Sequence, residues 1–307
     1  MFNFVQHRRT YFAISLLAIT LGLLAMIFSF VTSGRPFRIG IDFRSGTRIE
    51  LNFDSPVAED QLRNALAELG FVSPDVTAIG VGIETDTWQI RTEFVESQGT
   101  QEFFTNIETY LPPVNRDASS IQSVSPAIGQ EVTRAALVAI VVAALIILFY
   151  IMFSFRQIQN PFRYGACAVI AMLHDLIIIF GFIAVTGLIF GWEIDALFLT
   201  AALTVAGFSL QDTIVVFDRI RENSRKRPQD NYELTVNRSV LETVHRSLAT
   251  QLAAMFVLVA ILLFGGFSIK PFIGVLFVGL LSGTYSSLFT AVPLLVAWEK
   301  GEIPLLQ

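Results

Sequence analysis

Charged residues are scarce in this 307-residue chain, with Asp, Glu, Lys and Arg at only 15% of its positions. A soluble domain carries about 25% charged residues, so the deficit indicates that much of the surface contacts lipid. The net charge of −5 gives no reason to expect a nucleic-acid partner. We therefore expect a membrane protein that does not bind nucleic acid.

Cysteine and histidine are also rare, with one and three residues respectively. The single cysteine, Cys167, excludes a disulfide within one chain. The sequence has no HExxH or GxSxG motif, and no paired aspartates with a GxGD-type motif. These absences argue against an enzyme, and we predict neither a cofactor nor a metal site.

Six long apolar segments are present, and each is nearly free of charge. A helix needs roughly 20 apolar residues to cross the hydrocarbon core, and each segment with its flanks meets or approaches that length. The first segment is longer than the apolar core of a cleaved signal peptide, so we interpret it as a retained anchor. The segments are Leu16–Val31, Ala135–Phe153, Gly165–Phe190, Ala196–Phe217, Leu248–Phe267 and Phe272–Trp298.

Basic residues in the short loops indicate the orientation, because Lys and Arg are enriched on the cytoplasmic side. Basic residues lie before the first apolar segment, between the second and the third, and throughout loop 218–247. The short loops on the opposite side contain one basic residue, Lys270. We therefore expect both termini in the cytoplasm of a plasma-membrane protein, and the basic loop near anionic lipid. The predicted regions are a cytoplasmic N-terminus with the first helix (1–34), an external domain (35–130), helices two to six with cytoplasmic loop 218–247 (131–300) and a cytoplasmic tail (301–307).

The external segment has the pattern of a β-α-β-β-α-β domain, which is the ferredoxin-like arrangement. It contains no histidine or cysteine and its carboxylates are scattered, so a binding or force-bearing role is favoured over catalysis. The predicted elements are strand-like alternation over Phe37–Phe53 with a break at Ser45–Gly46, a helix capped at Asp54–Pro56 and ended by Gly70, strands Val76–Ile83 and Trp88–Phe94 joined near Thr85–Asp86, a helix through Phe103–Tyr110, and strand Ser120–Val124.

Asp212, in the inner half of the fourth predicted helix, is the sharpest functional signal. It lies six residues before Asp218, hence about 9 Å further along the helix axis. A carboxyl group at that depth is neutral or needs a partner, and one that exchanges its proton between the two sides is a simple relay. Arg246, which opens the fifth helix, has a long side chain that can reach inward and pair with Asp212. The alternative is a static salt bridge between the two helices.

His174 and Asp175 lie near the middle of the third predicted helix. Ionisable residues within a span indicate function by default, so we include both in the proton-relay hypothesis. Neighbouring side chains point about 100° apart on a helix and so should not face one partner. The alternative is one interhelical hydrogen bond beside one packed polar group.

Small and polar residues near these positions predict close helix packing. Gly207, Ser209 and Gln211 precede Asp212 and fit packing with polar contacts. Gly279 and Gly283 form a GxxxG pattern in the sixth helix, which is a packing motif without direct chemical meaning.

Three segments make the chain resemble the SecF family, the smaller half of the SecDF protein-export complex. Gly40–Phe43 with Ser45–Thr47 resembles the GIDF-x-GG-T signature, Ala206–Asn223 is similar to the fourth-helix motif, and His245–Ser247 is similar to the start of the fifth helix. Ser45, Phe208 and Gln211 depart from residues that the family often has there. The motif positions carried over are Gly40, Asp42, Phe43, Gly46, Gly207, Asp218, Arg219, Glu222 and Asn223.

The resemblance spans essentially the whole chain and implies a six-helix half of a twelve-helix, RND-like unit. It implies a SecD subunit as partner, association with the SecYEG channel, often with YajC, and use of proton flow to help pull unfolded preproteins across a bacterial or archaeal-type plasma membrane. It also implies that Asp212 and Arg246 are important for proton coupling. The alternatives from other functional classes are a non-conducting structural subunit and an RND-type half-transporter of lipid or small molecules.

Overall fold

The computed structural model describes residues 4–71, 74–78, 85–94, 100–158 and 160–302. The chain divides into two compact units, one made of Met1–Arg38 with Val138–Gln307 and the other of Ile39–Leu137. In chain order the elements are α1 (Arg8–Ser33), α2 (Ile41–Arg44), β1 (Gly46–Val57), α3 (Glu59–Glu68), β2 (Asp75–Ala78), β3 (Thr85–Thr92), α4 (Thr100–Ile107), β4 (Ser120–Val124), α5 (Pro126–Ser154), α6 (Pro161–Phe190), α7 (Ala196–Lys226), α8 (Tyr232–Phe264), α9 (Lys270–Ser286), a π-helical segment (Ser287–Ala291) and α10 (Val292–Glu299).

The six predicted membrane helices are confirmed, since six helical spans among the described residues are long and apolar enough to cross a bilayer. They are α1, α5, α6, α7, α8 and the continuous run of α9, the π-helical segment and α10. Helices α6, α7 and α9 pack against one another, α1 packs on α6, and α8 packs on α7 and α9. The chain is therefore a multi-pass membrane protein.

Local sequence sets where several of these helices begin. Pro161 is at the first turn of α6, where its missing N–H would be unpaired in any residue. Asp195 caps α7, because its carboxylate accepts a hydrogen bond of 2.8 Å from the backbone N–H of Phe198. Asn231 caps α8 in the same way by accepting from the backbone N–H of Glu233 at 3.2 Å.

Glycines allow the helices of the membrane unit to approach closely. Gly22 of α1 and Gly181 of α6 meet backbone to backbone, and a Cβ atom on Gly181 would lie 2.5 Å from Cα of Gly22. Gly279 packs on the side chain of Val205, and a Cβ atom on Gly283 would lie 3.1 Å from Cβ of Ser209. The GxxxG pair therefore lets α9 lie close against α7.

The unit of residues 39–137 is a ferredoxin-like α+β domain, as predicted. Its antiparallel sheet has the strand order β2-β3-β1-β4, with α3 following β1 and α4 following β3 in the chain. Alternate residues of β1 and β3 point into one core, where Leu51, Trp88 and Ile90 pack against Leu62 and Ile107 from the helices. These residues are buried, so the domain has a hydrophobic core of its own.

Several boundaries differ from the sequence expectation. Strand β4 covers Ser120–Val124 as predicted, but residues 41–44 form helix α2 instead of a strand. Strand β1 continues through Asp54–Pro56, so α3 begins later than the predicted cap. Thr85–Asp86 belongs to β3 instead of a turn, and Tyr110 lies beyond the end of α4. Residues 79–83 of the predicted second strand, and 303–307 of the predicted tail, are outside the described residues.

Ser45, between α2 and β1, has a backbone conformation that belongs to glycine. Its φ is 67° and its ψ is 163°, a region that only glycine adopts without strain. The next residue, Gly46, has φ of 129°, and a Cβ atom there would lie 2.8 Å from the carbonyl oxygen of Thr92. The chain therefore has a serine at one of two adjacent positions whose conformations favour glycine.

Replacing Ser45 by glycine should stabilise the domain, because strain of this kind costs about 1–3 kcal/mol. We expect Ser45→Gly to slow amide hydrogen exchange across β1 in the full chain. Ser55→Gly, at an exposed β1 position with negative φ, is the matched control and should speed exchange, because glycine costs about 0.5–1 kcal/mol within a strand. Equal exchange in Ser45→Gly and the unmodified chain would contradict the assignment of strain to this residue.

Candidate functional site

Asp175 lies at the centre of the membrane unit and is fully buried, with 0% of its surface exposed. Its Oδ1 accepts a hydrogen bond of 2.6 Å from Ser282 Oγ of α9. Its Oδ2 accepts two more, each of 2.6 Å, from Ser209 Oγ of α7 and Ser286 Oγ of α9. We call these three serines the Asp175 cradle. A buried carboxylate is costly unless it is hydrogen-bonded, and the Asp175 cradle supplies these bonds from two neighbouring helices.

The local sequence explains how the Asp175 cradle assembles. Ser282 and Ser286 are four residues apart and so occupy the same face of α9, one turn from each other. Gly283 lies between them and allows α9 to approach Ser209 of α7. The sixth predicted helix thus combines small residues for packing with hydroxyl groups for the carboxylate of α6.

His174 adds a nitrogen to this site. Its Nδ1 lies 3.1 Å from Asp175 Oδ1, and its ring stacks on Tyr285 with a centroid separation of 6.4 Å. Only 6% of the side chain is exposed. The expectation that these neighbours would face different partners is therefore incomplete, because their side chains also contact each other.

Asp212 lies in a second buried site, between α7 and α8. Its side chain is 4% exposed, and its Oδ2 accepts a hydrogen bond of 2.8 Å from Nε2 of Gln251. Gln251 is 3% exposed, and its Oε1 has no hydrogen-bond partner among the described residues. The partner of this carboxylate is therefore an uncharged amide.

The expected pair between Asp212 and Arg246 is not formed in this structure. Arg246 is exposed, and within the described ranges no ion pair joins its side chain to Asp212. Gln251 follows Arg246 by five residues, which corresponds to about 140° around a helix. Ser247, which is buried, shares the side of α8 that faces α7, whereas Arg246 points away from it.

The remaining residues of the fourth-helix motif join the ends of α7 and α8. Arg219 pairs with Glu222 and with Glu242, each at 2.5 Å. Asn223 donates hydrogen bonds to Ser239 Oγ at 3.0 Å and to Glu242 Oε2 at 2.8 Å. These contacts fix α7 against the first turns of α8.

Three other motif positions on α7 face outward or bond locally. Asp218 is exposed and pairs with Arg221 of its own helix at 2.5 Å. Gly207 and Gln211 are exposed, and a Cβ atom on Gly207 would meet nothing within 4 Å. The expected close packing therefore holds for Ser209 but not for Gly207 in this chain.

The Gly40–Gly46 motif is remote in sequence from these sites and shapes the other unit. Gly40 is the N-cap of α2, which contains Asp42 and Phe43. The carbonyl oxygen of Phe43 accepts a hydrogen bond of 3.1 Å from Thr133 Oγ1 of α5. The motif thus turns the chain from α2 into β1 within the ferredoxin-like domain, and we assign it a structural role.

Three site residues were missed by the sequence reasoning: Ser282, Ser286 and Gln251. Each is a polar residue inside an apolar segment, and such residues usually face the bundle interior. Their spacing was the available signal, because Ser282 and Ser286 share one face of α9.

Comparison with known proteins identifies related sequences over nearly the full length. The family described as protein export membrane protein SecD/SecF, C-terminal, matches residues 106–301. The SecD/SecF GG motif matches residues 30–57. The protein translocase subunit SecF of Thermobaculum terrenum is 41% identical and aligns over 98% of this chain and 95% of its own length.

Longer relatives contain the same region as a part. Protein translocase subunit SecDF of Bacillus subtilis is 33% identical over 96% of this chain, which covers 38% of that protein. The crystal structure of SecDF, a translocon-associated membrane protein from Thermus thermophilus, matches 97% of this chain with a TM-score of 0.81 and 30% identity. This chain spans 39% of the length of that protein.

Removing the amide that binds Asp212 should destabilise the membrane unit. Gln251→Leu removes the amide donor from a buried carboxylate, which costs about 1–3 kcal/mol. We expect a lower unfolding temperature for the purified chain in detergent at neutral pH. Gln211→Leu, the same change at an exposed position one residue before Asp212, is the matched control and should leave the temperature nearly unchanged. Equal effects of the two substitutions would show that the hydrogen bond contributes little.

Proposed function

The chain belongs to the SecD/SecF family of protein-export membrane proteins, and on that premise we propose that it is a proton-driven accessory subunit of the Sec translocase. With a SecD subunit it would promote the passage of preproteins across the membrane. The observation that carries the proposal is the pair of buried ionisable sites within the helices, at Asp212 and at His174–Asp175. Ionisable groups in membrane spans usually mark ion pathways.

The Asp212 site is suited to changing its proton occupancy. Its partner is the neutral Gln251, and within the described part of the chain no fixed positive charge pairs with the carboxylate to hold it in the ionised form. Protonation would remove a negative charge from between α7 and α8. A primary amide can accept a hydrogen bond from a carboxylic acid as well as donate one to a carboxylate, so the contact survives both states.

The energy available per proton is modest. One elementary charge that crosses a potential of 100 mV releases about 2.3 kcal/mol, so several protons per cycle would be needed for a large movement. We propose that this energy biases the ferredoxin-like domain between two positions that grip and release an emerging chain. In this scheme Arg246 acts at the start of the apolar part of α8 and pairs with Asp212 only after α8 turns.

The partners follow from the family. The Bacillus subtilis relative is named SecDF, and this chain covers 38% of it, so we infer that a separate SecD subunit supplies the remainder. We propose the SecYEG channel as the site of action, with YajC as a further partner and the unfolded preprotein as substrate. The membrane lipid surrounds the apolar faces of α1, α5 and α8, which are largely exposed in the single chain.

Replacing Asp212 by asparagine should abolish the contribution of this chain to export while leaving the complex assembled. Asn keeps the size of the side chain but cannot exchange a proton in this role. The measurement is preprotein translocation in cells that lack their own SecF and express this chain with its native SecD at matched levels. Co-purification of SecD is checked in the same samples.

The control is Asp230→Asn, which removes an aspartate that pairs with Arg238 at 2.9 Å outside the apolar segments. It should export like the unmodified chain. Normal export by Asp212→Asn would contradict the relay and favour a structural subunit. A structural subunit also predicts that Asp212→Asn and Arg246→Met lose export only in proportion to lost assembly. Export-independent movement of lipid or small molecules would instead favour a half-transporter.

We also propose that both termini are cytoplasmic and that residues 35–130 are external, and cysteine labelling tests this orientation. The only native cysteine, Cys167, has 0% exposure and should be silent. In intact cells, Asp60→Cys in α3 should react with a membrane-impermeant maleimide. Arg227→Cys, after α7, should react only after permeabilisation. Both positions are exposed. The reverse pattern would invert the proposed orientation.

A further inference from the structure

The imidazole of His174 has one nitrogen that the rest of the site does not use. Nδ1 lies 3.1 Å from Asp175, but Nε2 is buried and has no hydrogen-bond partner among the described residues. Buried polar atoms without partners are rare and require an explanation. The explanation depends on which nitrogen carries the proton.

The hydrogen bonds that the Asp175 carboxylate accepts determine which nitrogen of His174 carries the proton. All three hydroxyls of the Asp175 cradle donate to this carboxylate, so the group acts as an ionised acceptor of hydrogen bonds. A nitrogen that bonds an ionised carboxylate must donate, which places the proton of a neutral imidazole on Nδ1. Nε2 then carries a lone pair in a buried position. It is the atom of this cluster that can accept a proton without breaking a hydrogen bond already formed.

We propose that His174 Nε2 binds a proton as a second proton site of the chain, with Asp175 as its fixed counter-charge and the Asp175 cradle as positioning residues. The inference rests on the proposed proton-coupled function and deepens it. The proton is transferred from hydronium, which becomes water, to the lone pair of Nε2. The net charge of the pair changes from −1 to 0, and no other bond is broken.

The position of the Asp175 cradle explains how this site would act on the rest of the membrane unit. Ser209 of α7 bonds Asp175, and Asp212 follows three residues later on the same helix, about 4.5 Å along its axis. The same helix therefore contacts both proton sites. A change of charge at His174 acts on α7 and α9, whereas a change at Asp212 acts on α7 and α8.

Other titratable groups lie on the helices that pack around His174. Those that the packed helices bring to its neighbourhood are Tyr11 of α1, Asp212 of α7, Tyr285 of α9 and Glu299 of α10; the π-helical segment has none. Tyr285 stacks on the imidazole and donates its hydroxyl to the backbone carbonyl of Tyr11 at 2.8 Å. Glu299 pairs with Arg163 at 2.8 Å near the helix ends.

The chain offers a direct test because it contains only three histidines. In a His7→Gln, His245→Gln background, His174 is the sole histidine, and ¹⁵N-histidine NMR of the full chain in lipid vesicles reports its tautomer. We expect a proton on Nδ1 and a lone pair on Nε2 at high pH, and protons on both nitrogens at low pH. A proton fixed on Nε2, or a spectrum that does not change with pH, would overturn the proposal.

The positioning role is tested in the same spectra with two buried serines of the sixth span. Ser286→Ala removes one donor to Asp175, which leaves the carboxylate a stronger counter-charge for His174, and should move the midpoint of the imidazole signal change to higher pH. Ser287→Ala is the matched control, because Ser287 is equally buried but donates to the carbonyl of Gly283. Equal shifts, or no shift with Ser286→Ala, would overturn the role of the Asp175 cradle.

The export assay separates this inference from the proposed function. His174→Asn keeps a donor toward Asp175 but has no atom to protonate, so it should lower export to the level of Asp212→Asn. Wild-type export by His174→Asn, beside failure of Asp212→Asn, would overturn the second site and leave the proposed function intact. Wild-type export by Asp212→Asn would instead overturn the proposed relay, whatever the titration of His174.

Discussion

The membrane unit depends on the need to satisfy one buried carboxylate, that of Asp175, which is 0% exposed. An ionised group in an apolar interior is strongly unfavourable unless donors surround it. The three serines of the Asp175 cradle, from α7 and α9, meet this need. They can do so only if α6, α7 and α9 lie close together, and Gly279 and Gly283 remove the side chains that would prevent it. Packing and polarity therefore specify the same arrangement of three helices.

Helix α7 links this centre to the polar contacts with α8. Ser209 bonds the Asp175 carboxylate, Asp212 bonds Gln251 of α8, and Arg219 with Asn223 binds the first turns of α8. The contacts toward the end of α7 are charged and partly exposed, and such ion pairs contribute little each. Those in the middle are buried and therefore costly to break one at a time. Several weak contacts together hold the end of α7, whereas a change of charge at Asp175 or Asp212 disturbs a buried hydrogen bond that is costly to lose.

The sequence predicted the six membrane helices and the β-α-β-β-α-β order of elements along the ferredoxin-like domain because both follow from periodicity and length. Residues 41–44 form about one turn of helix, which is too short to show a helical period. The alternation of the surrounding residues therefore predicts a strand at these positions as well. The sites were harder, because the side chain that meets Asp212 depends on the rotation of α8. Each residue turns a helix by about 100°, so apolar content cannot distinguish Gln251 from Arg246 as the inward residue. The spacing of Ser282 and Ser286 places both hydroxyls on one face of α9, but it does not show which group on another helix they bind.

Asp212 is bound by the amide of Gln251 instead of the guanidinium of Arg246, and this difference has a chemical consequence. An arginine beside a buried carboxylate favours the ionised form and would lose its partner on protonation. Gln251 carries both a donor and an acceptor, and its Oε1 has no partner within the described part of the chain. It can therefore bind Asp212 in either protonation state after a rotation of the amide. Arg246, which opens the apolar part of α8, points away from Asp212 and needs a polar neighbour from water, lipid headgroups or another subunit. Asp212 is bound by the neutral Gln251, and Arg246 lies on a different face of α8. The proton and the arginine can therefore compete for Asp212 only if α8 rotates.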